Sequence, residues 1–301
     1  PWTLPGNVAL AVGKDIDYVK VKFFITQQGD LLYEPNSTIE REDCREEVCI
    51  LAKGIFEEKF KYYNKGSVTA EENQMMLASD DKRFKYACEI LQEFKGKDLI
   101  GLQYEPLFNI PALQNESSHK VYAADFVTTT DGTGVVHTAV MYGEEDFDLG
   151  VAIGLPQHHT VDEGGNFTSD VPEFAGMPVK HKDPPTEAKT TNAILAYLEQ
   201  HGQLFKQEVY EHDYPFCWRC ATPLLYYAKP SWFIKMSQLK EELKAANEKI
   251  NWYPEHIKHG RFGEWLEGVK DWAISRERYW GTPLPIWQCG NVACKHVVVI
   301  E

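Results

Sequence analysis

The side chains best able to do chemistry crowd into Asp131 to Asp148, DGTGVVHTAVMYGEEDFD. The β-branched run ahead of His137 reads as a strand that ends there, and a loop follows. Asp146 then falls in the first turn of a helix, where the macrodipole favours a carboxylate that stays ionised. A carboxylate so placed is an anchor for an ammonium group. The plainer reading of the same residues is a helix-start acid and a strand histidine with its hydrogen bonds satisfied. No GxSxG pattern occurs, so a covalent serine mechanism has no support.

Four of the seven cysteines form two close pairs, Cys217 with Cys220 in CWRC and Cys289 with Cys294 in CGNVAC. Four thiolates suit tetrahedral zinc, so a structural zinc is the metal this pattern would take, in one shared site or as two half-sites. Other signals carry less. His158 and His159 are adjacent in an extended stretch, where neighbouring side chains point apart, and read as a solvated loop. Tryptophans 252, 265, 272, 280 and 287 could stack bases, yet in a packed tail they read as core.

The elements that position these residues follow from periodicity and punctuation. Residues 8–25 read as strands. Ser37 with Glu40 makes a capping box, and Cys44, Val48, Leu51 and Ile55 then share one helical face up to a stop near Gly66. A second helix is expected to carry Phe84, Ala87, Cys88 and Leu91, closed by Gly96. DLIGLQY, KVYAADFV and GVVHTAV are short β-rich segments, with Asp131-Gly132 as a turn. The period turns helical from Gly143. Residues 164–185, rich in Gly, Pro and Asp, read as a linker. Helices follow around 186–201 and 237–249. Two modules result, a β-rich one over 1–180 and an extension over 181–301.

Composition bounds the function. With 43% hydrophobic and 25% charged residues among 301, the chain is that of a globular protein. No apolar run reaches the roughly 20 residues of a membrane span, and the start is not that of a signal peptide. A soluble, cytoplasmic protein with reduced thiols is expected. A net charge of -14 argues against coating nucleic-acid backbone non-specifically, though not against admitting the end of one strand. Opening on Pro1-Trp2 without methionine and ending inside VVVIE, the chain reads as an excised piece of a longer one.

PWTLPGN at 1–7, GTGVVH at 132–137 with GEED at 143–146, HDYPFCWRC at 212–220, PSWF at 230–233, NWYPEHIKHGRFGEWL at 251–266 and SRERYWGTPLPIW at 275–287 occur in that order. Together they resemble the isoleucyl-tRNA synthetases, over essentially the whole chain. The sister valine and leucine enzymes share this insertion but usually carry a threonine-rich segment running into Arg-Pro, whereas PWTLP is the isoleucine-type wording.

The resemblance implies a mixed α/β chain: a β-barrel-like editing domain of the valyl/isoleucyl/leucyl type with peripheral helices, and a smaller C-terminal extension leading back into a Rossmann catalytic domain. It implies a post-transfer editing hydrolase that removes valine from the 3′ acceptor end of isoleucine tRNA, needs no cofactor for that step, and works beside the rest of its parent synthetase. By motif match, Asp146 holds the α-amino group, His137 and Thr3 line the pocket and limit side-chain size, and Trp2 with Gly132, Thr133 and Gly134 shapes the wall or meets the terminal nucleotide. The family's further threonines precede Pro-Trp-Thr, before Pro1, and Val140 stands where the family often has proline. In the family the CWRC pair joins an upstream pair and the later cysteines join downstream ones, so each pair here would be half a zinc site. Lys235-Met236-Ser237-Gln238-Leu239 resembles the ATP-binding KMSKS signature without its second lysine, and no HIGH signature occurs, so no adenylate chemistry is expected. The competing class is a module that binds the tRNA acceptor end without hydrolysing it.

Overall fold

The computed structural model describes residues 1–26, 31–32, 41–60, 62–63, 86–130, 132–207, 212–276, 283–291, 293–294 and 296–299. Ser37, Glu40, Gly66, Phe84, Asp131, Glu277 and Trp280 lie outside them. The chain divides into two compact units, Pro1–Ala228 and Lys229–Glu301. Residues 181–228, grouped by sequence with the extension, therefore belong to the first unit.

Two open sheets build the first unit. In one, β1 (Ala9–Val12) lies centrally, and β2 (Asp17–Ile25) starts the other. β3 (Arg45–Ala52) runs into helix α1 (Lys53–Lys59), and β4 (Tyr62–Tyr63) and β5 (Tyr86–Lys95) complete the order β3-β2-β5-β4. β6 (Lys120–Ala123) pairs parallel and β7 (Val135–Thr138) antiparallel with β1, in the order β6-β1-β7. Among the described residues this is a mixed α/β fold of small sheets that do not close into a barrel.

Residues 45–52 and 86–95 form strands where helical spacing had been read. The register explains it: β2 pairs along its length with β3, from Tyr18 opposite Ala52 to Ile25 opposite Arg45, and with β5 on its other side. The run Val48-Cys49-Ile50 suits a pleated surface, and a non-local partner overrides local period. Val48 and Leu91, expected on helices, stand 48% and 46% exposed on the sheet's outer side. The inner side carries Val19, Val21, Phe23 and Leu51 against Phe56 and Phe60.

α2 (Glu144–Ile153) and α3 (Pro184–Gln200) complete the unit. Asp183 caps α3 by accepting the Thr186 amide at 3.1 Å, and Thr190, Ile194 and Leu198 at fourfold spacing bury one face. Residues 164–185 are no linker. Phe167, Val171, Phe174 and Val179 are buried in the same core as Ile194 and Leu198, so glycine and proline there specify turns rather than separation.

In the second unit, β8 (Phe233–Ile234) pairs with β9 (Trp272–Ala273), and β10 (Ile286–Gln288) with β11 (Val297–Val299). A 3₁₀ turn, Met236–Leu239, leads into α4 (Lys240–Glu248), with Asp271 accepting from the Ser237 amide and hydroxyl. α5 spans Arg261–Glu267. Of the described tail tryptophans, Trp265, Trp272 and Trp287 are exposed rather than core, and Trp252, Phe262, Trp265 and Trp272 form a ladder of ring contacts. No described helix is long and apolar enough to cross a membrane.

Candidate functional site

His137 enters the site on β7, opposite Leu10 of β1. Its Nε2 lies 3.0 Å from Thr3 Oγ1, from the turn that precedes β1. Burial pushes the imidazole down to about 4 from an ordinary 6.5, so the ring is neutral at neutral pH. Its Nδ1 is buried with no hydrogen-bond partner among the described residues. A half-satisfied neutral imidazole of this kind has one ring nitrogen left for a ligand or a water.

Two residues beyond His137, the Ala139 amide donates to Asp146 Oδ2 at 3.1 Å. Asp146 sits third in α2, and Val140 holds that helix down: a Cβ on Gly150 would come within 2.5 Å of Val140, so only glycine permits the approach. The electrostatics differ from those inferred for an exposed helix start. Burial raises the Asp146 carboxyl above its usual value, and the Ala139 hydrogen bond only partly opposes it. Desolvation outweighs the helix terminus here, and such a carboxylate gains most from a cation brought to it. A cavity of about 370 Å³ opens there, lined by Gly143, Glu144, Glu145, Asp146 and Tyr226.

The remaining expected residues divide. Trp2 packs edge-to-face on Tyr142, with ring centroids 5.1 Å apart. Gly132 and Thr133 line a different, mostly apolar groove of about 440 Å³ that also takes in Leu4, the neighbour of Thr3. Gly134 works from inside: its φ is +74°, a Cβ on it would meet that of Ala52 at 2.5 Å, and its carbonyl accepts from the Tyr18 hydroxyl at 2.6 Å.

Sequence reasoning passed over Tyr142. Its oxygen accepts the amides of Thr160 at 2.7 Å and Val161 at 2.9 Å and pairs with Thr160 Oγ1 at 3.1 Å. A tyrosine just before a helix start carries no local mark of that role, which rests on residues 160 and 161 reaching it. His159 is not a solvated loop residue either: it stacks on Tyr227 at 4.0 Å, and His158 pairs with Asp170 at 2.7 Å.

Cys217 and Cys220 sit on a turn closed by the Cys217 amide to Thr222 O and the Ala221 amide to Cys217 O. Hydrogen bonding from Thr222 lowers the exposed Cys220 thiol to about 7, toward the thiolate a metal binds. Cys289 and Cys294 are exposed beside the β10–β11 hairpin of the second unit. Each pair holds two thiols where tetrahedral zinc takes four ligands, and no group of three or more metal-binding side chains gathers among the described residues.

The family model for tRNA synthetases class I (I, L, M and V) matches residues 15–300. The chain is 43% identical over 291 residues to an isoleucine–tRNA ligase of Clostridium tetani, covering 96% of this chain and 23% of that protein. It is 41% identical over 297 residues to an isoleucine–tRNA ligase of Bdellovibrio bacteriovorus and 40% over 296 to one of Bacillus thuringiensis, in each case 98% of this chain. It thus spans about a quarter of the length of these relatives, at 23% and 24%. A family match over nearly every residue, reached independently of the site geometry, places this chain among the class I tRNA synthetases of the isoleucine, leucine, methionine and valine group.

Proposed function

We propose that the first unit hydrolyses the ester of valine wrongly attached to isoleucine tRNA, as the editing part of an isoleucine-specific synthetase. The observation that carries the reading is the linked set Thr3, His137 and Asp146, in which a neutral imidazole with one buried, unpartnered nitrogen lies two residues from the amide that holds a half-buried carboxylate.

Asp146 takes the α-ammonium of the aminoacyl group, which restores the charge state that burial disfavours. A water adds to the ester carbonyl, the acyl–oxygen bond to the ribose breaks, and valine leaves with the ribose hydroxyl regenerated. An aminoacyl ester is already reactive, so holding it, the water and the ammonium in register supplies much of the rate. His137 is a poor general base with its ring near 4, because catalytic bases work best near the operating pH. It serves instead as a wall and a neutral hydrogen-bonding group. Such a second pocket answers a physical limit: a methylene is worth about 1–3 kcal/mol in an apolar site, for which isoleucine against valine is the standing example, so one pocket cannot reject the smaller residue well enough.

The partner is then the 3′ acceptor end of isoleucine tRNA, in the cytoplasm, with zinc in the cysteine pairs serving structure and no step of the hydrolysis. The test is release of valine from purified valyl-tRNA by this chain. Tight binding of valyl-tRNA without release would favour a binding module instead.

A further inference from the structure

We propose that Tyr142 is a positioning residue of this site, its ring carrying the Trp2–Thr3 segment and its backbone turn carrying the amide that holds Asp146. The inference rests on the hydrolytic reading for its effect on rate, though not for its effect on the Thr3–His137 contact.

Tyr142 is buried and its oxygen is fully used. Two amides, those of Thr160 and Val161, occupy its acceptor positions, so its proton goes to Thr160 Oγ1. A phenol fixed at three points cannot swing, and its ring becomes a rigid floor. On that floor lies the turn before β1. Trp2 meets the ring at one edge with centroids 5.1 Å apart. Gly6 approaches so closely that a Cβ there would stand 3.0 Å from Tyr142 Cε2. Between these two contacts sits Thr3, whose carbonyl accepts the Gly6 amide at 2.9 Å and whose hydroxyl meets His137.

The same residue acts in the other direction through its backbone. The Tyr142 amide donates to Ala139 O at 2.9 Å, closing the turn whose Ala139 amide binds Asp146. The Met141 carbonyl in that turn accepts the Ala228 amide at 2.9 Å. One side chain thus meets the chain on either side of Thr3, at Trp2 and Gly6, and its own turn reaches Asp146, without contact to the reacting atoms.

The test compares Tyr142→Leu, which removes the ring, with Tyr142→Phe, which keeps it. Valyl-tRNA hydrolysis and an NMR titration of the His137 imidazole are followed in each. For Tyr142→Leu the expected result is a fall in kcat of about tenfold to a hundredfold from misplacement, and a rise of about one unit or more in the His137 midpoint as Thr3 releases it and water enters. Tyr142→Phe keeps the ring contact with Trp2 but loses its three anchors, and should show both changes in the same direction and to a smaller extent. A folded Tyr142→Leu variant with an unmoved His137 midpoint overturns the inference. Should that variant not fold, Trp2→Leu cuts the same ring contact from its half-buried side and must raise the midpoint likewise; an unmoved midpoint there is equally fatal. If the unsubstituted chain hydrolyses nothing while the midpoint moves as expected, the hydrolytic reading falls and the positioning of Thr3 by Tyr142 stands.

Discussion

Replacing His137 by glutamine should change how stability depends on pH. The folded imidazole sits at about 4 and its ordinary value is 6.5, so between these values the unfolded chain takes a proton that the folded site refuses. A histidine lowered in this way adds stability that is present above the unfolded value and is lost as pH falls through the window toward the folded one. From about pH 7 to about pH 4.5 the loss comes to about 2 kcal/mol for a single group shifted this far. Other groups titrate there as well: the raised Asp146 carboxyl works in the opposite sense, since its folded state holds a proton more readily. His137→Gln shares all of these, keeps a polar side chain and does not titrate, so the difference between the two proteins isolates the ring. Amide exchange in β1 and β7 reports opening of the unit that holds the site, independently of the other unit. The prediction is that wild type loses about 2 kcal/mol more protection than His137→Gln over this range. Parallel pH profiles would refute the argument, since they would mean that the imidazole meets water and titrates like a free one.

Asp146→Ala removes a charge-assisted hydrogen bond worth roughly 1.5–3 kcal/mol and should slow valyl-tRNA hydrolysis by about one to two orders of magnitude, read from single-turnover rates. His137→Ala should open the wall and begin to release isoleucine from correctly charged tRNA, a discrimination of about 1–3 kcal/mol per methylene, whereas a general-base role would instead slow valine release by roughly 10²–10⁴ and leave isoleucine spared. Gly134→Ala forces a left-handed residue and a Cβ 2.5 Å from that of Ala52, so it should cost on the order of 1–3 kcal/mol in urea unfolding; a cost near zero would show that β7 can shift away.

What could be read in advance was what local pattern dictates. The alternation in residues 8–25, the helical turn after Gly143 and the helical stretch around 186–201 all specify themselves within a few residues, and β1, β2, α2 and α3 followed. β3 and β5 did not, because Val48, Leu51, Ala87 and Leu91 fall at helical spacing, whereas in the strands Val48 and Leu91 face outward and Leu51 and Ala87 are buried; pairing with β2 decides, and no local pattern encodes it. Residues 164–185 misled for a related reason, since turn residues report backbone bends while the burial of Phe167 and Phe174 depends on a distant helix. Within the site, residue identities were legible and their electrostatics were not. Asp146 lies in the expected turn of α2, but the Ala139 amide that binds it and Tyr226 of its cavity come from outside the helix. Tyr142 was silent because a hub is defined by what converges on it, here Trp2, Thr160 and Val161 from both sides of the motif.

The most direct measurement of the central claim is the rate at which this chain frees the amino acid from matched samples of valyl- and isoleucyl-tRNA for isoleucine. The account predicts release of valine well above the spontaneous rate, with isoleucine left in place and the valine activity falling in Asp146→Ala. Valine release no faster than the spontaneous rate, or equal release of both amino acids, would contradict it.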